Sequence, residues 1–373
     1  MSEVCFQNGL CFGELNMIPK DDSIGPLMHY PEAVRYPKAY EVTGEGIVKF
    51  HLYIPGAHRV SLRTFTDEFE LEPENGLWTK EYPVGTGFIG IFLKVDEMDF
   101  LYPGLPIGFG GNRPINFIEV LEPDAVIEPM DCVYGTVLME YMNSKVSNRM
   151  ERIYIYLPPD YHANTDRKYP VLYLQHGHGE NETTWVNQGK ANFIYDNLVA
   201  QKKAEPAIVV MCNGMVSFER EDEVFVSAAE KFEEMLVTEV IPYVEQKYRT
   251  YQDKAHRAMA GLSMGSMQTS VITLKHQDLF DYAGIFSGFV TDFLSGHTLH
   301  MRPEYLRTYS RNLKYIFRAM GDQDIFMDKF KEDDKILEKY GVEYERVIYK
   351  GAHEWKVWQH CLADFIQKIF KEA

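Results

Sequence analysis

The stretch Ala258-Met259-Ala260-Gly261-Leu262-Ser263-Met264-Gly265-Ser266-Met267 decides the fold of most of this 373-residue chain. It contains the pattern G-x-S-x-G, in which Ser263 lies between Gly261 and Gly265. Glycines at these two positions allow a tight turn that lifts a serine above the end of a strand. Small apolar residues precede the turn, and residues 267–274 can continue as a helix. The stretch therefore predicts a strand, a sharp turn with an exposed hydroxyl, and a helix.

The sequence around this turn alternates between strands and helices from residue 128 onwards. Continuous apolar runs at 171–174 and 207–211 are typical of central parallel strands that are covered on both faces. Further strands are predicted at 152–157, 282–286, 315–320 and 344–349, and helices at 191–202, 232–247 and 327–340. This alternation predicts a doubly wound α/β sheet with right-handed crossovers over residues 128–373, and the G-x-S-x-G turn after one of its strands is the motif of the α/β-hydrolases.

The sequence of residues 1–127 indicates a separate and smaller domain. Short β-like runs at 47–54, 60–65, 78–82 and 87–95 are separated by Gly, Pro and Asn, and no helical periodicity interrupts them. Such spacing predicts an all-β sandwich. Residues 1–126 carry 19 acidic and 9 basic side chains, so this part of the chain holds −10 of the net charge of −17.

The composition excludes several classes of protein. Hydrophobic residues at 45% and charged residues at 25% lie near the globular average, which argues against a disordered or fibrous chain. With 38 basic against 55 acidic side chains, we expect no nucleic-acid partner and no membrane partner. The sequence contains no apolar run of membrane-spanning length and no signal-peptide pattern, and its five cysteines are scattered. We therefore expect a cytoplasmic protein, or a secreted one if a leader has been removed.

A catalytic serine needs a general base, and the base needs an acid that orients it. In α/β-hydrolases the acid and then the histidine follow Ser263 along the chain. His353 follows an apolar strand and precedes a C-terminal helix, so we expect it at the sheet edge that carries the serine. His360 falls within that helix, where a packing or surface role is expected. His297 and His300 lie in a long irregular stretch with no strand to fix them.

The acid is predicted at Asp324, in the loop Gly321-Asp322-Gln323-Asp324 that follows the strand 315–320. Asp322 in the same loop is the competing choice. The chain between Asp324 and His353 is long enough for one helix and one strand, as the architecture requires. Three other aspartates are expected on the solvated face of that helix: Asp328, Asp333 and Asp334.

An oxyanion hole needs backbone N–H donors. One is expected from Met264, directly after the serine, and one from the loop His176-Gly177-His178-Gly179 after the strand 171–174. The two histidines of this loop have no further ligand cluster near them in the sequence, and Val357 breaks an H-E-x-x-H pattern at His353. We therefore expect no metal and no other cofactor.

Several motifs together resemble one esterase family. In chain order they are Leu174-Gln175-His176-Gly177, Trp185 with residues 188–192 and 196–198, Val210-Met211-Cys212-Asn213-Gly214, Ala260-Gly261-Leu262-Ser263-Met264-Gly265, Phe286-Ser287-Gly288 and residues 353–358. They are similar to carbohydrate esterase family 1, which contains feruloyl esterases, acetylxylan esterases and enterochelin-esterase-like proteins. The resemblance runs through residues 130–373 and implies a triad of Ser263, Asp324 and His353. Ser266 and His178 depart from the family's glycine-rich pattern, which bears on the substrate rather than on the reaction.

The resemblance implies hydrolysis of a small aromatic-acyl sugar ester, such as a feruloylated oligosaccharide from the plant cell wall. The predicted walls for the acyl group are Trp185, Trp355 and Phe289, with Phe293, Tyr305 and Tyr309 of the same 287–311 segment. Packing between helix and sheet is the alternative role for these side chains. The rival functions are an acetylxylan or siderophore-type esterase, and a carbohydrate-binding protein without catalysis.

The N-terminal region resembles the early-set, immunoglobulin-like domain that precedes some esterases of this family. The likeness rests on Val48-Lys49-Phe50 and on residues 57–62. Its aromatic side chains are expected in the sandwich core rather than on a sugar-binding surface: Tyr53, Phe65, Trp78, Tyr82, Phe88 and Phe92. We expect the domain to stabilise its catalytic companion and not to bind polysaccharide strongly. The sequence leaves a homodimer open.

Overall fold

A computed structural model describes residues 39–122, 125–216, 224–291 and 303–371 of the chain. The chain divides into two compact units, Met1–Asp124 and Ala125–Ala373. The sequence places this boundary three residues later, between residues 127 and 128.

The first unit is an all-β sandwich, as the sequence predicts. Its strands are β1 (Tyr40–Gly44), β2 (Ile47–Leu52), β3 (Val60–Arg63), β4 (Glu68–Glu70), β5 (Glu72–Glu74), β6 (Leu77–Pro83), β7 (Gly87–Val95), β8 (Met98–Phe100), β9 (Ile107–Gly110) and β10 (Arg113–Val120). One sheet has the order β1-β2-β6-β5, and the other has the order β4-β3-β7-β10-β9, with β8 also paired to β7. Alternate residues of β2, namely Val48, Phe50 and Leu52, are fully buried. This period of two is what a sheet with one face on the core requires.

The aromatic side chains of the sandwich are only partly in its core. Trp78 and Tyr82 pack against the buried cluster, as expected. Phe65 is 69% exposed, so its predicted core position is wrong. It lies just beyond the end of β3, with its ring edge against Phe92 at a centroid distance of 5.5 Å. The sequence pattern does not show that β3 ends at Arg63. It therefore does not show that Phe65, two residues later, lies outside the core.

The second unit is built on an eight-stranded sheet with the order β11-β12-β14-β13-β15-β16-β17-β18. Its strands are β11 (Thr136–Ser144), β12 (Arg149–Leu157), β13 (Val171–Gln175), β14 (Ile208–Cys212), β15 (Arg257–Leu262), β16 (Tyr282–Phe286), β17 (Tyr315–Gly321) and β18 (Glu345–Tyr349). Strand β12 is antiparallel to both of its neighbours, β11 and β14. The strands β13 to β18 run parallel to one another. This is the predicted α/β-hydrolase fold.

The helices of the second unit connect these strands. They are α1 (Thr184–Asn187), α2 (Ala191–Ala200), α3 (Val224–Met235), α4 (Ile241–Lys247), α5 (Met264–Lys275), α6 (Pro303–Asn312), α7 (Met327–Tyr340) and α8 (Trp355–Ile366). Strands β13 to β16 are buried along their whole length because helices cover both faces, so they appear in the sequence as continuous apolar runs.

The helix predicted at 232–247 is interrupted in the structure. A π-helical segment, Leu236–Val240, separates α3 from α4. Pro242 lies in the first turn of α4 and has no N–H to donate to a preceding carbonyl. A π-helical turn inside a longer helix accommodates such a missing bond.

The predicted solvated face of α7 is wrong for one of its three aspartates. Asp328 is exposed, but Asp333 is buried and lies 2.5 Å from the guanidinium of Arg318 on β17, which is itself fully buried. Asp334 also pairs with Arg318. A buried guanidinium requires carboxylate partners, and this requirement comes from a neighbouring strand rather than from the helix's own pattern.

Candidate active site

Ser263 lies at the sharp turn between β15 and α5, and its backbone has φ 50° and ψ −116°. A positive φ is unusual for a residue with a side chain and stores strain. The neighbouring strand β16 holds the turn, since the Ser263 N–H donates to the carbonyl of Phe286 at 2.9 Å. This is the strained strand-to-helix turn that presents a nucleophilic serine in α/β-hydrolases.

The two glycines of the motif are required by close backbone contacts. A Cβ at Gly261 would lie 2.5 Å from the carbonyl group of Gly265. A Cβ at Gly265 would lie 2.6 Å from the carbonyl oxygens of Gln175 and His176, at the end of β13. Any side chain at either position would therefore push the serine turn away from the neighbouring strand.

Ser266, which departs from the family pattern, is accommodated without disturbing the turn. Its side chain is buried, and its hydroxyl donates to the Ser263 carbonyl at 2.5 Å. Gly288 gives it room, because a Cβ there would lie 1.6 Å from the Ser266 oxygen. The hydroxyl thus reinforces the first turn of α5.

The structure pairs the predicted base with the predicted acid. Nδ1 of His353 lies 2.9 Å from Oδ2 of Asp324, whose side chain is fully buried. The second oxygen of Asp324 accepts the N–H of Phe326 at 3.0 Å. Because an ionised carboxylate only accepts, the Nδ1–H of His353 donates to it, and Nε2 is left as the acceptor that a general base needs.

The competing acid, Asp322, has a different partner. Its Oδ1 accepts the N–H of Gly351 at 2.9 Å and so fixes the loop that leads to His353. Asp324 and His353 lie on loops that follow β17 and β18, and Ser263 follows β15 in the same parallel sheet. The carboxyl ends of parallel strands share one edge, so all three residues lie along that edge.

Two aromatic rings that sequence reasoning missed contact the His353 imidazole. Phe326 meets it edge to face at 5.3 Å between centroids, and Trp358 does so at 5.0 Å. Phe326 follows the acid by two residues, and Trp358 lies one helical turn beyond the start of α8. That proximity along the chain is the signal that could have found them.

The loop after β13 lies beside the serine. A Cβ at Gly177 would lie 3.6 Å from Cβ of Ser263. Of the two residues of this loop that are predicted to serve the oxyanion, Gly177 and His178, Gly177 already donates its N–H to Oε2 of Glu180 at 2.8 Å. His178, the next residue, is exposed, and Met264 begins α5, where an N–H has no acceptor within its own helix.

His176 holds this loop from the inside. Its Nδ1–H donates to the Gly177 carbonyl at 2.7 Å, and its Nε2 accepts the Gly214 N–H at 2.9 Å. Burial lowers the pKa of His176 to about 4, so the ring is neutral near pH 7. It therefore crosslinks the loops after β13 and β14.

Comparison with known proteins places this site in a family. The Esterase family model matches residues 144–369, more than half of the chain. The chain belongs to the Esterase family.

One relative is similar to this chain over most of the chain's length. The chain is 34% identical over 368 residues to an endo-1,4-β-xylanase/feruloyl esterase of Xylanibacter ruminicola, a match that covers 95% of this chain and 48% of the relative. The chain thus spans about half the length of that protein.

Two solved structures share the fold of the esterase. A CE1 ferulic acid esterase from Anaeromyces mucronatus, solved in complex with ferulic acid, matches with a TM-score of 0.60 at 23% identity, over 67% of this chain and 96% of that one. The enterobactin esterase of Shigella flexneri matches with a TM-score of 0.62 at 13% identity, over 88% of this chain and 94% of that one. At these identities the likeness shows the fold.

The three side chains predicted as substrate walls are part of the esterase core. Trp185 is 1% exposed and its indole N–H donates to the Gln175 carbonyl at 2.8 Å, while Trp355 packs edge to face against it at 5.2 Å. Phe289 is 2% exposed and packs with Met320 and Phe330. The prediction is wrong for all three in this structure, and the alternative of packing between helix and sheet holds. Burial depends on contacts between distant segments, which a single sequence does not display.

Two further tyrosines of the predicted acyl-group wall and His360 pack within the second unit. Tyr309 is buried with its hydroxyl on Thr273 at 2.6 Å, and Tyr305 packs against the same core. His360 stacks on Tyr349 at 5.8 Å, in the packing role expected of it. Three residues lie outside the described part of the chain: Phe293, His297 and His300.

The described residues lack a membrane-spanning helix and a metal-binding cluster. No helix there has the length and apolar character that crossing a membrane requires. No group of three or more His, Cys, Asp or Glu side chains there is arranged to hold a metal ion. Metal-free catalysis by the esterase stays a prediction.

Proposed function

We propose that this esterase is a serine carboxylester hydrolase that releases ferulic or related hydroxycinnamic acids from plant cell-wall carbohydrate esters. The observation that carries the proposal is the 2.9 Å contact between His353 and Asp324, on the sheet edge where the strained turn presents Ser263. An oriented histidine beside a raised serine is the arrangement that acyl transfer needs.

In the proposed reaction the Ser263 hydroxyl attacks the ester carbonyl while Nε2 of His353 takes its proton. Asp324 keeps the imidazole in the required tautomer and stabilises its charged form. The N–H groups of Met264 and His178 stabilise the tetrahedral oxyanion. His353 then gives the proton to the departing sugar oxygen, and the acyl group remains on Ser263. A water molecule, deprotonated by the same histidine, hydrolyses this acyl-enzyme and restores the serine.

The choice of acyl group rests on the relatives. The relative from Xylanibacter ruminicola carries feruloyl esterase in its name, and the structure from Anaeromyces mucronatus was solved with ferulic acid. Both names support a hydroxycinnamic acid as the acid half of the ester. A feruloylated xylan oligosaccharide is the natural form of such an ester.

A substrate panel tests the proposal. We expect the purified protein, with EDTA present, to hydrolyse methyl ferulate and methyl p-coumarate, and Ser263→Ala to hydrolyse neither. Acetylated xylan and a catecholate triester serve as comparisons. Preference for either of these two over the hydroxycinnamates would replace the proposed substrate, and a requirement for added divalent metal would contradict the proposed chemistry.

A further inference from the structure

The loop beside Ser263 contains a carboxyl group to which the proposed mechanism assigns no role. Glu180 closes the turn that begins at Gly177, since its own N–H donates to the Gly177 carbonyl at 3.3 Å. Gly179, inside the turn, has φ 75°, the conformation that a glycine supplies in a type II turn. The Glu180 side chain then folds back, and Oε2 accepts the Gly177 N–H at 2.8 Å.

The same carboxyl reaches a second partner across the site. It accepts a hydrogen bond from the indole N–H of Trp355, the first residue of α8, two residues after His353. Trp355 is buried and held between Trp185 at 5.2 Å and Trp358 at 5.3 Å, both edge to face. Because these rings fix it, Trp355 is a rigid anchor.

Glu180 therefore bridges the turn after β13 and the buried Trp355 ring beside the nucleophile. The point where a Gly177 Cβ would stand lies 3.3 Å from Oε2 of Glu180 and 3.6 Å from Cβ of Ser263. The bridge also occupies the Gly177 N–H, so the donor that we assign to the oxyanion from this loop is the N–H of the next residue, His178. Donors of an oxyanion hole act only when they are held at the place where charge develops.

We propose that Glu180 is a positioning residue for ester hydrolysis, whose carboxyl ties the oxyanion loop to Trp355 and so holds the His178 N–H beside Ser263. This inference rests on the proposed esterase function. A negative charge so close to the developing oxyanion would oppose it. Loss of surrounding water raises the pKa of Glu180 to about 8, which keeps the carboxyl mostly neutral at pH 7.

The test compares two substitutions of Glu180 with a matched control. Glu180→Ala removes both hydrogen bonds, and Glu180→Gln keeps a neutral acceptor of the same shape. Glu182→Gln is the control, because Glu182 is a buried carboxylate of the same loop that pairs with Arg152 instead. Each variant is assayed at pH 7 for kcat, KM and melting temperature, with 4-nitrophenyl acetate and methyl ferulate.

We expect Glu180→Ala to lower kcat by roughly 30- to 100-fold on both esters while KM changes by less than about threefold, since a misplaced donor costs rate rather than binding. Glu180→Gln should retain kcat within about fivefold of the wild type, and Glu182→Gln within about threefold. The inference is overturned if folded Glu180→Ala keeps its kcat, or if Glu180→Gln is as slow as Glu180→Ala. A loss confined to methyl ferulate would also overturn it, because that result indicates an acyl-binding role.

A second variant keeps the test decisive if Glu180→Ala fails to fold. Trp355→Phe removes the indole N–H and keeps an aromatic ring in place. When folded, it should lower kcat by roughly 10-fold on both esters while KM changes by less than about threefold, because it opens the same bridge. A folded Trp355→Phe that keeps the wild-type kcat would contradict the bridge. A wild type inactive on every ester would instead contradict the proposed function. Wild-type activity is therefore measured before any variant is compared.

Discussion

At the residue scale, the strain at Ser263 and the pairing of His353 with Asp324 belong to one arrangement. A backbone at φ 50° costs on the order of 1–3 kcal/mol and persists only where the surroundings enforce it. Here the enforcing contacts are those of Gly261 and Gly265 with neighbouring backbone. Packing elsewhere in the protein offsets this strain energy, and the Ser263 hydroxyl is held above the sheet edge.

Substitutions in the triad give the first prediction. Ser263→Ala and His353→Ala should each lower kcat by roughly 10⁴-fold or more and leave the melting temperature close to that of the wild type. Asp324→Asn should cost less than Ser263→Ala and far more than Asp322→Asn, because only Asp324 holds the imidazole. If Asp322→Asn is the more damaging change in steady-state assays, the acid is misassigned.

The buried imidazole of His176 gives a prediction about stability against pH. Its pKa is about 4 in the folded protein, below the ordinary value of 6.5, so only the unfolded chain takes up a proton between these values. The stability that His176 contributes is therefore present above pH 6.5 and is lost as the pH falls towards 4. Between pH 7 and pH 5 this loss amounts to about 2 kcal/mol.

Denaturant unfolding of the wild type and of His176→Gln at both pH values measures this effect. The comparison between variants is needed because Glu180, whose pKa is raised, acts in the opposite sense over the same range. His176→Gln should show an acid-induced loss smaller by about 2 kcal/mol. An equal loss in both proteins would exclude His176 as its source.

At the scale of elements, the sequence predicts best what local chemistry determines. The turn at Ser263, the strand β16 and the helix α7 follow from glycines, apolar runs and helical spacing that lie within a few residues. Strand β11 does not stand out, because it is a half-exposed strand at the end of the sheet and its apolar run, Val137-Leu138-Met139, is short. The roles of Trp185 and Asp333 depend on partners far away in the chain, so spacing alone misplaces both.

The buried face of α7 supplies the element-scale prediction. Asp333 accepts the N–H groups of Val290 and Thr291 at 2.9 and 3.0 Å and pairs with Arg318, so it ties α7 to β17 and to the segment after β16. Asp333→Ala leaves the two N–H groups and the Arg318 guanidinium buried without this carboxylate, and it should cost about 3 kcal/mol of unfolding free energy. Asp328→Ala on the same helix is exposed and should cost less than about 0.5 kcal/mol. Similar urea midpoints for the two variants would show that the buried pair stabilises nothing.

At the scale of the whole molecule, the two units differ in what they offer a ligand. The second unit carries the paired acid and base, whereas the described part of the sandwich has a surface aromatic cluster formed by Phe65 and Phe92. In that cluster the guanidinium groups of Arg63 and Arg113 lie over the Phe92 ring, at 4.5 and 5.3 Å from its centroid. A ring face that already holds cations has little room to stack on a sugar, which leaves Phe65 as the exposed ring of the cluster.

We therefore predict that the protein is not strongly retained by xylan. Affinity electrophoresis of full-length Ser263→Ala in gels containing soluble xylan should show little retardation, and Phe65→Ala in that background should migrate alike. The Ser263 substitution prevents hydrolysis of the polymer during the run. Strong retardation that Phe65→Ala abolishes would identify the sandwich as a targeting module.

The central claim is that Ser263 carries the acyl group during hydrolysis of a hydroxycinnamate ester. Mass spectrometry of the protein quenched during turnover of 4-nitrophenyl ferulate tests it most directly, because the acyl-enzyme is a covalent species that can be mapped to a peptide. We expect a feruloyl adduct on the peptide that contains Ser263 in the wild type, and no adduct in Ser263→Ala. Turnover by Ser263→Ala at the wild-type rate, or an adduct mapped to another residue, would contradict the account.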